Sequence, residues 1–145
     1  MSIVTSDTRH PSSARNFWLG MAAYLLPTFA IAFAWHLVLF ETSYHALGIY
    51  RGDPIIPLGF ASMIIQGAVF SWAFPRLFAG SRGSLLKNGL LYGLGAGLLS
   101  WSFTTLAVAA KQPMASISDY IVLETGFTFL QFLVVGPLTA LAHRT

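Results

Sequence analysis

Glu124 stands inside a run of apolar residues near the end of the 145-residue chain. There an ionisable side chain costs about 2.5–3.5 kcal/mol on insertion scales if it lies at the centre of a membrane helix. Such a carboxylate should face protein. Thr128, Gln131 and Thr139 fall on the same side of a helix and extend it into a polar stripe. His36 stands in a second apolar run, with Glu41 and His45 shortly after it. Imidazole titrates near neutrality and desolvation raises a carboxylate towards the same range, so a His and Glu pair can relay a proton. With Glu41 and His45 the same groups supply nitrogen and oxygen ligands for a divalent cation. The spacing from His36 to Glu41 to His45 matches no metalloenzyme motif, so neither a metal nor a cofactor is named. The plainest reading of the pair is a structural hydrogen bond.

Helices in a bilayer must position these groups. Hydrophobic residues make up 55% of the chain and charged residues 9%, too little polar surface to coat a water-soluble globule. A hydrocarbon core of roughly 30 Å needs about 20 apolar residues in a helix. Four stretches qualify, at 17–40, 55–79, 89–110 and 118–142, and none has Lys or Arg in its interior. The expected fold is an all-α integral membrane four-helix bundle over 17–145, preceded by a disordered tail over 1–16. The apolar run of the first span exceeds the 7–15 residues of a signal-peptide core, and no small-residue cleavage site follows it. At about 1.5 Å per residue, His36 and Glu124 come to similar depth near one end of the bundle. Gln66 and Gln131 both come near its middle. A His36 to Glu124 contact and a Gln66 to Gln131 contact follow if the helices are neighbours.

The positive-inside rule orients the bundle. Arg9, Arg15, Arg76, Arg82, Lys87 and Arg144 lie on one side, and Arg51 and Lys111 on the other. Six against two predicts both termini and the 80–88 loop in the cytoplasm. Eight Lys and Arg scattered in this way form no basic patch for nucleic acid. Cysteine is absent, which excludes disulfides and thiolate chemistry.

Small residues mark helix contacts in lipid, where tails are as apolar as Leu. Gly89, Gly93, Gly97, Ser100 and Thr104 advance by three or four residues within about 80° of one another at about 100° per residue. This ladder suits either a dimerisation face or packing inside one chain, and the second is the commoner use. Pro27 and Pro137 lie inside spans and Pro75 near a span end, each able to kink a helix. Trp18, Trp35, Tyr50 and Tyr120 suit interfaces, while Trp72 and Trp101 sit deeper. Ser116 followed by Asp119 reads as a cap on the fourth span. The outer loop from Glu41 to Pro54 reads as an interfacial helix ended by a turn at Gly52, Asp53 and Pro54.

The pieces AWHLVLF, YHALG, PIIPLG and MIIQG and the Phe74 and Pro75 pair resemble small four-span bacterial membrane proteins of unknown function. The resemblance covers mainly the first two spans and implies membrane location, with no activity or site attached. No nucleophile elbow, P-loop, dinucleotide fingerprint or HExxH occurs. The leading expectation is a noncatalytic bundle in a bacterial inner membrane, self-associating or serving a larger membrane complex. The alternative is a small transporter or proton- or metal-ion-handling protein built on His36, Glu124, Gln66 and Gln131. A lipid-modifying enzyme using Glu41, His45 or Glu124 as acid or base stands last, because no nucleophile or oxyanion donor can be assigned.

Overall fold

The computed structural model describes residues 11–49 and 51–144, so Arg9, Tyr50 and the tail before Pro11 lie outside the described residues. Every regular element among them is helical. The first helix, Pro11–Ala34, runs on into a π-helical turn, Trp35–Leu39. A short helix, Glu41–Leu47, follows, then Ile56–Leu77. Leu85–Trp101 continues through a second π stretch, Ser102–Leu106, into Ala107–Ala109, and Ile117–Ala142 ends the bundle. Four helices are long and apolar enough to cross a membrane: Ser13–Leu39, Ile56–Leu77, Leu85–Ala109 and Ile117–Ala142.

The span ends depart from hydropathy where hydrogen bonds and backbone preference decide. Helix begins already at Pro11, because a fixed φ and a missing N–H suit the first helical turn. Residues 11–16 are therefore helix. The third span starts at Leu85, four residues before 89, because Ser84 Oγ accepts from the Lys87 N–H at 3.2 Å. A hydroxyl cap extends a helix into polar sequence that an apolarity count passes over. The fourth span carries the expected cap, with the Asp119 N–H donating to Ser116 Oγ at 3.3 Å.

The fourth span lies in the middle of the packing, between the third span on one side and the first on the other, with the second span against the first. Its contact with the third span consumes the glycine ladder. A Cβ on Gly93 would land on the Phe132 carbonyl oxygen, and one on Gly89 would lie 2.6 Å from Pro137 Cα. Gly136 answers from the fourth span, where a Cβ would strike the Gly89 carbonyl oxygen. Gly97 seats Phe132, whose Cβ lies 3.1 Å and whose ring begins 3.4 Å from where the glycine's Cβ would stand. The ladder is thus packing within the chain and is closed to a second chain. It stops before Ser100, which is half-buried, and Thr104, which is exposed and donates to the Ser100 carbonyl at 2.9 Å.

Pro27, Pro75 and Pro137 lie inside helices, and two π-helical turns interrupt the α-helical pattern elsewhere. Phe40 N–H donates to the Trp35 carbonyl five residues back at 3.0 Å, and Ala107 N–H reaches Ser102 in the same way. These π turns lie at the ends of the first and third spans nearest Glu41–Leu47. Around the bundle large apolar side chains face outward, with Leu26 70% and Val122 71% exposed. That is the reverse of a protein folded for water.

Candidate functional site

At the end of the bundle away from Ser13 and Arg144, the first π turn presents His36 to the fourth span. His36 Nε2 lies 3.5 Å from Glu124 Oε1, the contact that matched depth predicts. Glu124 is buried, 8% exposed. The Tyr44 hydroxyl donates to the same Oε1 at 2.7 Å. Tyr44 is fully buried and meets the His36 ring at a tilt with centroids 4.7 Å apart, while Phe127 meets that ring edge-on at 4.4 Å.

The protons in this cluster follow from the acceptors. His36 Nδ1 lies 3.1 Å from the Ala32 carbonyl oxygen. A carbonyl only accepts, so Nδ1 carries a hydrogen. The other ring nitrogen faces Glu124 Oε1 within ion-pair distance, and the Tyr44 hydroxyl donates to that same oxygen, so an imidazole, a carboxyl and a phenol converge behind the Phe127 ring.

Tyr44 was not among the sequence candidates. The short helix Glu41–Leu47 does not simply lie on the surface. It turns Tyr44 and Leu47 down onto the bundle, and the Leu47 carbonyl accepts from Ala115 N–H at 3.0 Å. The signal was an apolar pair three residues apart, ended by Gly48 in the left-handed conformation that a glycine cap supplies. Glu41 and His45 point away from this cluster. They face each other at 3.9 Å, both more than half exposed. Among the described residues no group of three His, Asp or Glu converges as metal ligands.

Deeper in the bundle, Gln66 and Gln131 are joined through a third residue, where direct contact was expected. The Tyr24 hydroxyl donates to Gln66 Oε1 at 2.6 Å and accepts from Gln131 Nε2 at 3.3 Å. The first span lies between the second and fourth, so its phenol bridges the gap that two amides alone would have to close. Gln66 also donates to Ser62 Oγ at 2.9 Å.

Tyr24 belongs to a stripe on the first span that answers the polar stripe of the fourth. Asn16, Gly20, Tyr24 and Thr28 are all buried, four residues apart, and the same step reaches His36 through Ala32. Opposite them Glu124, Thr128, Gln131 and Thr139 are buried too. A polar seam thus runs the length of the bundle. The four-residue spacing was visible in the sequence, but glycine, tyrosine and a boundary asparagine do not read as one polar face.

The seam ends on a second histidine. His143 Nδ1 lies 2.9 Å from the Thr139 carbonyl and its Nε2 3.4 Å from Ser71 Oγ. Ser71 donates to the Phe17 carbonyl at 2.7 Å, so its oxygen turns a lone pair to the ring. Gly20 makes room here, since a Cβ would collide with Ser71 Oγ and His143 Cε1. Both histidines have one nitrogen engaged by the carbonyl four residues back and the other aimed at an oxygen. Comparison with protein-family models, curated proteins and solved structures finds no match for this chain.

Proposed function

We propose that this is a small bacterial inner-membrane protein, both termini cytoplasmic, that takes up a proton at His36 and Glu124 and passes it along the seam between the first and fourth spans. The observation that carries the reading is the His36 ring, with Nδ1 engaged by the Ala32 carbonyl and Nε2 facing the buried Glu124 carboxyl at 3.5 Å. A purely structural pair needs no second titratable group, and a buried ion pair is weak support for stability in itself. An intramembrane carboxylate paired with an imidazole is the kind of group that proton relays use. Tyr24, Gln131 and Thr128 continue the polar line towards His143. The membrane side assigned to each end rests on the six-to-two distribution of Lys and Arg.

The test is proton movement in proteoliposomes loaded with a pH-sensitive dye, under an imposed pH gradient with charge compensation by potassium and valinomycin. Wild type should dissipate the gradient faster than protein-free vesicles. Glu124→Gln, which keeps the shape and removes the titrating group, should return to the protein-free rate. Equal rates for wild type, Glu124→Gln and empty vesicles would sink the reading.

A second reading, assembly with another membrane chain, is favoured by the outer half of the second span. Residues 56–66 are exposed except for Met63, and they include Ser62 and Gln66 hydrogen-bonded to each other at 2.9 Å. Polar side chains at this depth prefer protein to lipid. Crosslinking in mild detergent should then capture a dimer or a copurifying chain through this face, and a strictly monomeric protein would count against it.

A further inference from the structure

A large cavity lies at the opposite end of the bundle from Glu124. It is a half-open cleft of about 1060 Å³ between the first, second and third spans and the end of the fourth, with Asn16, Trp18, Arg76, Asn88, His143 and Arg144 among its lining. We infer that this cleft holds the phosphate headgroup of an anionic phospholipid, gripped by Arg76 and Arg144.

Charge separates sharply along the molecule. The described carboxylates are Glu41, Asp53, Asp119 and Glu124, all in the outer loops or the outer half of the fourth span. Arg15, Arg76, Arg82, Lys87 and Arg144 lie at the other end, where no described carboxylate stands to neutralise them. Arg76 is held in place without an acid. Its guanidinium lies 4.1 Å over the Trp72 ring and Nη1 donates to the Trp72 carbonyl at 2.6 Å. A guanidinium has five N–H donors in a planar fork suited to phosphate, and this one spends a single donor on the helix.

The interior of the cleft is polar as well as open. Asn16 is 7% exposed and Asn88 is 8% exposed. Asn88 is engaged by Ser81 and the Gly83 carbonyl, and Asn16 lines the same cleft as Arg76 and Arg144. Amide N–H groups in such a lining can donate to phosphate oxygens. Trp18 and Trp72, 65% and 53% exposed, stand at the rim. Indoles settle at headgroup level, and basic pockets between membrane helices bind anionic headgroups there. An apolar rim serves a molecule with acyl chains and does nothing for a free anion.

The test is native mass spectrometry of the full chain in neutral detergent, incubated with equal amounts of phosphatidylglycerol and phosphatidylcholine. Phosphatidylglycerol should be retained in preference, and Arg76→Gln and Arg144→Gln should each lower its retention about fivefold. Arg82→Gln removes the same charge at the same end but does not line the cleft, and should leave retention unchanged. Equal retention of the two lipids would overturn the proposal. So would an effect of Arg82→Gln as large as that of Arg76→Gln, which would mean a diffuse field, or displacement of the lipid by millimolar inorganic phosphate, which would mean a free-anion site. Because Arg76 and Arg144 are both exposed, loss of lipid in these variants with an unchanged thermal midpoint separates binding from folding.

Discussion

The fourth span presents two unlike faces to its neighbours. Towards the third span it meets glycine, backbone against backbone, with the Phe132 carbonyl and the Pro137 Cα standing where Cβ atoms would go. Towards the first span it meets hydroxyls, amides and an imidazole spaced along the whole bundle. Without a hydrophobic drive between helices in lipid, close packing and hydrogen bonding are the two available means of association. Here they are divided between two faces of one helix. The glycine face has almost no room for a larger side chain, while the polar face holds the buried hydroxyls and amides and the His36 and Glu124 pair.

That contrast can be broken most severely at Gly93. Gly93→Leu should force the third and fourth spans apart, since its Cβ would fall on the Phe132 carbonyl oxygen, a backbone atom that cannot swing aside. Overpacking of a tight core costs about 1–3 kcal/mol and occasionally more. The expected result is loss of most folded protein in a detergent melt followed by circular dichroism. An unchanged melt would mean that this seam is not the close-packed one.

On the polar face, Tyr44→Phe removes the hydroxyl that donates to Glu124 and should cost about 1.5–3 kcal/mol, the range for a hydrogen bond to a charged group. Thermal midpoints of wild type and variant check it. A cost within about 0.5 kcal/mol, the range for surface substitutions, would show that Tyr44 is not a working partner of Glu124.

The smallest effect has the opposite sign. Gly95 lies on the third span away from the ladder, with nothing within 4 Å of its would-be Cβ. Gly95→Ala should stabilise the helix by about 0.5–1 kcal/mol through reduced backbone freedom. A destabilisation as large as that of Gly93→Leu would erase the distinction between the two sides of the third span.

The site was legible in part. His36 and Glu124 could be paired because depth along a helix is a simple product of residue count and rise, and both stand close to span ends. Gln66 and Gln131 were matched in depth by the same logic, yet depth says nothing about what lies between two helices, and Tyr24 fills that space. Tyr44 escaped because a tyrosine in a loop reads as an interfacial anchor until the loop is seen to fold back. His143 escaped because a histidine two residues from the chain end carries no periodic signal. The π turns at Trp35–Leu39 and Ser102–Leu106 have no residue signature comparable to proline, so nothing in the sequence marks them.

What the sequence determined by itself is the number of helices long and apolar enough to cross a membrane. Apolar run length is a local property, and the cost of placing a bare polar backbone in hydrocarbon leaves helices as the way to use such runs. The glycine spacing likewise announced a close contact. Which helix would receive it, that the first span would separate the second from the fourth, and that a cleft lined by arginines would open opposite Glu124 were decided only by tertiary structure. These depend on how faces of different helices meet, and a face has no partner until the chain has folded.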